Sequence, residues 1–158
     1  ELDITKKKSK FKECKNLINW VLKSEKLGQY NEISRQKRFF RECENHKTLL
    51  KQLLYTLKKQ GKNIVGYGAS TKGNVILQYC GINEKLINKI AEVNKYKFGR
   101  YTPGTNIKIV SEKKAMKNVP DYLLVLPWHF KDHIIKREDE FLKKGGKLIF
   151  PLPDIEII

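Results

Sequence analysis

A glycine-rich turn, GYGASTKGN, holds residue types suited to binding a phosphate group. It follows the apolar pair Ile64 and Val65 and precedes the apolar run VILQYCGI, which is the order strand, turn, helix. Its first two glycines permit a tight turn and close backbone approach, and a helix N-terminus offers free N–H groups and partial positive charge to an anion. The candidate binding residues are Gly66, Tyr67, Gly68, Ala69, Ser70, Thr71, Lys72, Gly73 and Asn74.

The spacing of this turn matches neither of two common nucleotide-binding motifs. A dinucleotide fingerprint would place its third glycine at position 71, where Thr71 stands. A P-loop would place Lys and then Ser or Thr after Gly73, where Asn74 and Val75 stand. The motif alone therefore predicts neither NAD nor ATP binding, and a turn that needs its glycines only for geometry stays open.

Two other turns are predicted to lie at the same edge of a parallel sheet, beyond the carboxyl ends of its strands. Glu92 ends a predicted strand near the distance from Gly68 at which an acid accepts ribose hydroxyls; a solvated strand-end acid is the alternative. Trp128, His129 and Phe130 follow a buried strand and could stack on a base or sugar, or form a packed aromatic lid. His129 is the one candidate for proton transfer, and no catalytic triad or carboxylate pair follows from spacing.

The helices that precede the turn are predicted from apolar residues at three- and four-residue steps. The pattern indicates a helix over roughly 11–26, ended near Gly28, and a second helix from Phe39 to Leu57, stopped at Gly61. After Gly61 the pattern changes to short apolar runs separated by helical segments. The helix after the glycine turn is predicted to face Val75, Ile76 and Tyr79 inward.

The remaining segments complete an α/β pattern. NKIAEVN, a run through Ile107 and Ile109, DYLLVLP and KLIFPLP read as strands, whereas SEKKAMKN and KDHIIKREDEFLKKGG read as helices. The predicted fold is a Rossmann-like open, mostly parallel sheet with helices on both faces, preceded by two N-terminal helices. Residues 1–60 are predicted to be a helical linker segment packing on the sheet domain of residues 61–158.

Composition limits the class of protein and its partners. The 158 residues carry a net charge of +16, but the charge is spread over both halves and only TKKKSKFK is a local cluster, so nucleic acid is not the favoured partner. The three cysteines, Cys14, Cys43 and Cys80, form no CxxC pair, so reduced thiols are expected and no metal site is predicted. No membrane span or signal peptide is recognised, and a cytoplasmic, excised or truncated chain is expected.

Five segments carry a resemblance to a known family. They are GYGASTKGN, LQYCGI, KFGRYTPGTNIKI, PDYLLVLPWHF and GGKLIFPLP. In this order and spacing they resemble the C-terminal domain of the sugar C-methyltransferases, which act on nucleotide-linked deoxysugars with S-adenosylmethionine. The similarity covers residues 61–158, and the preceding helices, with SEKLGQY, resemble the linker helices of that family.

The resemblance implies a three-part parent enzyme whose zinc-binding segment and central S-adenosylmethionine-binding domain are absent from this sequence. This chain would bind a nucleotide-diphosphate sugar beside the missing methyltransferase domain, and the cofactor and structural zinc would belong to the parent. Residues 66–74 would hold the diphosphate or nucleotide, and Glu92 stands where the family usually has Asp. By the same resemblance Lys97, Arg100 and Tyr101 would reach phosphates or sugar, and His129 stands where the family often has Asn.

The resulting functional prediction is a domain that binds but does not catalyse turnover by itself. Two alternatives stay open. One is a stand-alone, non-catalytic Rossmann-like binding or assembly module. The other is a basic nucleic-acid-binding domain, for which the charge is not accompanied by a stacking or groove-reading motif.

Overall fold

A computed structural model of the chain describes residues 14–158. Two compact units divide the chain, one ending at Glu42 and one running from Cys43 to Ile158. Helix α1 (Lys15–Leu27) lies in the first unit, and helix α2 (Ile33–Lys59) contains the boundary. Among the described residues, no helix is both long and apolar enough to cross a membrane.

The second unit is an α/β sheet domain. Its strands are β1 (Ile64–Tyr67), β2 (Lys89–Glu92), β3 (Lys108–Ser111), β4 (Tyr122–Val125), β5 (Lys147–Phe150) and β6 (Glu156–Ile157). Its helices after α2 are α3 (Thr71–Cys80), α4 (Glu112–Ala115), α5 (Lys131–Arg137) and α6 (Asp139–Lys143), with 3-10 turns at Lys95–Lys97 and Trp128–Phe130.

The six strands form one sheet in the order β3-β2-β1-β4-β5-β6. The first five are parallel, and β6 pairs antiparallel with β5. Gly66 pairs with Ile90 of β2 on one side and with Leu124 of β4 on the other, so β1 lies where the strand order reverses. This is the Rossmann order, and the predicted fold class is confirmed; the short β6 was not predicted.

Both faces of the sheet are covered because its strands alternate apolar side chains between two cores. Ile64 and Leu124 face a core that includes α3 and the second half of α2, which contributes Leu50, Leu54 and Leu57. Val65 and Leu123 face a second core built from α4, α5 and α6, whose buried side chains are Ala115, Ile134 and Phe141. Helices on both faces agree with the buried, uninterrupted apolar run predicted for β4.

Several predicted helix ends are confirmed. Gly28 follows α1 directly, and α2 stops two residues before Gly61. The helix predicted for SEKKAMKN begins at its serine, because the Ser111 hydroxyl caps α4 by accepting a hydrogen bond from the Lys114 N–H. Helix α2 begins at Ile33, six residues before the stripe predicted from Phe39, since its first turns carry too few apolar residues to show a helical period. The predicted start of the first helix at 11–13 lies outside the described residues.

The inward face predicted for α3 is wrong at two of its three positions. Ile76 is buried, but 64% of Val75 and 43% of Tyr79 are exposed. The buried residues of α3 are Gly73, Ile76, Leu77 and Cys80. These follow the steps of three and four that place side chains on one helix face, whereas Val75 lies nearly on the opposite side of the helix.

The single helix predicted for KDHIIKREDEFLKKGG is also wrong, because the structure divides it into α5 and α6 at Glu138. Glu138 has φ −97° and ψ 20°, outside helical geometry. Its carboxylate accepts a hydrogen bond from the Tyr67 hydroxyl at the end of β1, 2.6 Å away. The break therefore coincides with a tertiary contact that local periodicity cannot reveal.

Candidate functional site

The glycine turn lies at the carboxyl edge of the sheet, where the strand order reverses. Helix α3, which follows β1, packs on one face, and α5, which follows β4, packs on the other. Two connections that leave in opposite directions open a crevice between them, and this is the usual ligand site of open α/β sheets. Two clefts flank the glycine turn at this edge.

We define the two clefts by their lining residues. Cleft 1, about 260 Å³, is lined by Tyr67, Gly68, Ala69, Ser70, Ala91, Glu92, Val93, Lys97, Glu112, Pro127, Phe130, His133, Ile134 and Arg137. Cleft 2, about 200 Å³, is lined by Ala69, Ser70, Thr71, Asn74, Leu77, Thr102, Pro103, Ile109 and Leu126. Cleft 1 is the crevice between the connections that follow β1 and β4. Ala69 and Ser70 line both clefts.

Two glycines shape the turn in different ways. Gly68 has φ +76°, and a Cβ there would lie 2.9 Å from the Pro127 ring. A side chain at this position would therefore be both strained and in steric conflict. A Cβ on Gly73 would lie 2.4 Å from the Cβ of Leu126. Gly73 thus permits close packing of α3 against the end of β4. The third glycine of a dinucleotide motif has the same role, although Gly73 stands two residues after the position of that glycine.

The N-terminus of α3 has free hydrogen-bond donors. The Ser70 hydroxyl accepts a hydrogen bond from the Gly73 N–H at 2.9 Å, and the Ser70 carbonyl accepts one from the Asn74 N–H at 3.0 Å. Within residues 14–158, the N–H groups of Thr71 and Lys72 have no acceptor. Free N–H groups at a helix N-terminus, together with the helix dipole, stabilise an anion.

Glu92 connects the glycine turn to the connection after β2. One carboxylate oxygen accepts hydrogen bonds from the N–H groups of Val93 at 2.8 Å and Asn94 at 2.9 Å. The other accepts from the Ala69 N–H at 3.0 Å and from the Lys97 ammonium at 3.1 Å. Lys97 also donates to the Ala69 carbonyl at 2.9 Å, so the turn is held from two sides.

These bonds determine the ionisation of Glu92. Burial by itself would raise the pKa of this carboxyl, but the hydrogen bonds from Asn94, Lys97 and Val93 outweigh it and lower the pKa below its usual value. A carboxylate offers about four lone-pair positions, and all four are occupied within the chain. A ribose hydroxyl at Glu92 would have to displace one of these donors.

A polar network that the sequence did not predict lies along the other wall of cleft 1. The Tyr67 hydroxyl donates to Glu138, and Nη2 of Arg137 donates to both carboxylate oxygens of Glu112 at 2.6 and 2.7 Å. The Arg137 guanidinium lies 5.7 Å from the centre of the Tyr67 ring. Burial, followed by the hydrogen bond from Tyr67 to Glu138 and the charge of Glu138, raises the pKa of Tyr67.

Tyr67 was predicted as a binding residue, but its partners were missed because they are far from it in the sequence; Tyr67 and Glu138, for instance, are 71 positions apart. The only local signal was the charged run KREDE inside an otherwise amphipathic segment. A charged run is usually a solvated helix face, so it pointed to no contact with the end of β1.

The sequence of the chain was compared with family models and with known proteins. The family model described as "C-methyltransferase C-terminal domain" matches residues 1–153. The chain belongs to this family. The C-methyltransferase NovU of Streptomyces niveus is 36% identical over 115 residues, which cover 73% of this chain and 27% of NovU. The aligned part thus spans about a quarter of that relative's length.

The C-methyltransferase C-terminal domain brings together most of the binding residues predicted from its sequence. Those that line at least one cleft are Tyr67, Gly68, Ala69, Ser70, Thr71, Asn74, Glu92, Lys97 and Phe130. Those that line neither are Gly66, Lys72, Gly73, Arg100, Tyr101, Trp128 and His129. Whether any of them binds a ligand stays a prediction.

The residues outside the clefts have other surroundings. Tyr101 forms an isolated antiparallel bridge with Lys108, and the Arg100 carbonyl accepts a hydrogen bond from the Ile109 N–H, so both residues lie along the outer side of β3. Trp128 packs against both hydrophobic cores, which agrees with the aromatic-lid alternative. His129 is exposed, with its ring 4.3 Å from the ring of Phe130.

Proposed function

We propose that this chain is the nucleotide-sugar-binding domain of an S-adenosylmethionine-dependent C-methyltransferase that acts on a nucleotide-linked deoxysugar. One observation carries the proposal: the free N–H groups of Thr71 and Lys72 lie at the N-terminus of α3, where Thr71 lines cleft 2, at the sheet edge where the strand order reverses. The phosphate groups of a diphosphate are among the anions that such a helix N-terminus binds. The similarity to NovU, a C-methyltransferase, supports C-methyl transfer as the chemistry of the parent enzyme.

The size of the clefts supports a shared binding site. Cleft 1 and cleft 2, about 260 and 200 Å³, are each smaller than the roughly 300–1,000 Å³ of a typical small-molecule pocket. A nucleotide-diphosphate sugar bound at this edge would extend beyond both. The sugar would then be presented to the methyltransferase domain of the parent enzyme.

Residues 14–158 offer no fit for the zinc ion that the parent enzyme would carry. No group of three His, Cys, Asp or Glu side chains stands close enough to bind a metal ion in the part of the chain that the structure describes. Glu92 already accepts four hydrogen bonds, so the ribose of a nucleotide sugar, like that of S-adenosylmethionine, would bind it only by displacing a donor. We propose, from the family resemblance, that zinc and S-adenosylmethionine bind to other parts of the parent enzyme.

The proposal is tested by calorimetric titration of the chain with dTDP, GDP and UDP, with S-adenosylmethionine and NAD as controls. Thr71→Pro removes one of the two free N–H groups without breaking an intrahelical bond, because Pro is tolerated at the first position of a helix. Ser70 has φ −92° and ψ 153°, the extended conformation that a following Pro requires. Thr71→Ala, which keeps the N–H group, is the matched control.

We expect one nucleoside diphosphate to bind selectively and Thr71→Pro to weaken its binding about tenfold relative to Thr71→Ala, the effect of one charge-assisted hydrogen bond. If the two variants bind the nucleotide with equal affinity, the N-terminus of α3 does not contact it. If the unchanged chain binds none of the three nucleotides, the assembly-module alternative gains support.

A further inference from the structure

Arg137 lies on the wall of cleft 1 opposite the glycine turn, and none of the sequence patterns identified it. It belongs to α5, whereas Gly68, Ala69 and Ser70 on the other wall follow β1. A ligand bound in cleft 1 would therefore meet the glycine turn on one side and a guanidinium on the other.

The guanidinium has unused donors. Arginine has five N–H donors, and Arg137 uses only Nη2 for hydrogen bonds, both of them to Glu112. Its Nε lies 3.6 Å from Glu138, close enough for charge attraction only. Within residues 14–158, Nη1 has no acceptor. The side chain is 42% exposed, so these donors are accessible to a ligand.

The same contacts hold the guanidinium in one orientation. The Glu112 carboxylate accepts two short hydrogen bonds from Nη2 of Arg137, and Glu138 lies beside Nε. The centre of the Tyr67 ring lies 5.7 Å from the guanidinium carbon. Glu138 is itself fixed by the Tyr67 hydroxyl. A donor that is positioned before the ligand arrives loses little conformational entropy on binding.

The other cation that lines cleft 1 is less available. Lys97 donates to Glu92 and to the Ala69 carbonyl, and its charge is balanced by a carboxylate of which only 7% is exposed. His133, one helical turn before Arg137, also lines the cleft. Arg137 thus combines a permanent charge, a fixed orientation and free donors, the properties of arginines that bind phosphate.

We infer that Arg137 binds a phosphate of a nucleoside diphosphate in cleft 1, on the wall opposite the glycine turn. This inference rests on the proposed function and adds a specific binding residue to it. Glu112 and Glu138 are positioning residues, since they act on the ligand only through the guanidinium.

The inference is tested by titrating Arg137→Gln with dTDP, GDP and UDP and with dTMP, GMP and UMP. Lys136→Gln is the matched control because it removes the same charge from an exposed neighbour that lines neither cleft. Arg137→Lys keeps the charge but loses the planar fork, and it serves if Arg137→Gln does not fold, as judged by its thermal melt.

We expect Arg137→Gln to weaken binding of the diphosphate by roughly 10- to 100-fold and to reduce its advantage over the monophosphate, while Lys136→Gln binds like the unchanged chain. Arg137→Lys should be intermediate. If Arg137→Gln lowers only the melting temperature and the ratio of the two affinities is unchanged, Arg137 merely joins α4 to α5 and the inference is wrong while the proposed function stands. Absence of nucleotide binding by the unchanged chain overturns both.

Discussion

At the scale of single residues, Glu92 lies at the strand end predicted from the sequence, but its hydrogen-bond partners were not predicted. The sequence placed an acid at the end of β2, and the structure puts it in cleft 1. Its four partners include Ala69 and Lys97, which no spacing rule connects to it. The glycine turn could be predicted because its geometry is local, whereas these hydrogen bonds depend on how β1 and β2 pair.

We predict that Glu92→Gln destabilises the domain by about 2–4 kcal/mol, because an amide NH₂ group would face N–H donors in a buried position. The exposed Glu84→Gln, whose carboxylate has no partner among the described residues, should be nearly neutral. Urea denaturation of the two variants at pH 7 measures the difference. Equal midpoints would mean that the carboxylate does not hold the turn.

The lowered pKa of Glu92 predicts how stability depends on pH. The contribution of this carboxylate is complete above the usual carboxyl pKa of about 4.3 and is lost as the pH falls through the lower pKa of the folded state. Between pH 5 and 3 the unchanged chain should therefore lose more stability than Glu92→Gln. Parallel curves of unfolding free energy against pH for the two proteins would contradict this expectation.

At the scale of secondary-structure elements, the sequence predicts best where an element is buried evenly. The run that forms β4 is apolar throughout and was placed correctly at the centre of the sheet. Helix α3 was predicted correctly, but its buried face was not, because apolar residues lie on more than one of its sides. The break at Glu138 could not be predicted, since the hydroxyl that binds it belongs to β1.

We predict that the second half of α2 stabilises the sheet through a single face. Leu54 is fully buried, and Leu54→Ala should cost about 2–5 kcal/mol through lost burial and the cavity it leaves. Leu49, which is 58% exposed on the same helix, is the matched control, and Leu49→Ala should cost less than about 0.5 kcal/mol. Chemical denaturation gives both values, and similar losses would argue against this packing.

At the scale of the whole molecule, the compact sheet unit begins at Cys43, inside α2. The sequence predicted a sheet domain from residue 61, where the pattern changes from a long helical stripe to short apolar runs separated by helical segments. Hydrophobic periodicity marks where an element ends, but it does not show which part of a long helix packs on the next domain. Only the structure shows that the second half of α2 packs on the sheet, because the buried residues of this helix are Leu50, Leu54 and Leu57.

We predict that a fragment of residues 43–158 melts cooperatively within a few degrees of the whole chain. A fragment of residues 61–158 lacks the three buried leucines of α2 and should melt roughly 15 °C or more lower, or without a cooperative transition. Circular dichroism during heating compares them. A stable 61–158 fragment would instead support the boundary expected from the sequence.

The pairing at the two sides of the sheet has a consequence for association between chains. Along the outer side of β3, the Gly99 N–H and the Arg100 carbonyl are hydrogen-bonded to Ile109, so the chain covers its own edge there. The other edge, β6, is only two residues long. Open strand edges are the usual templates for fibrils, and short or covered edges prevent such growth. The segment that contains Arg100 and Tyr101 thus covers part of the β3 edge with its backbone, and this should disfavour growth of the sheet by added chains. The phosphate or sugar contacts that the family resemblance implies for their side chains stay a prediction.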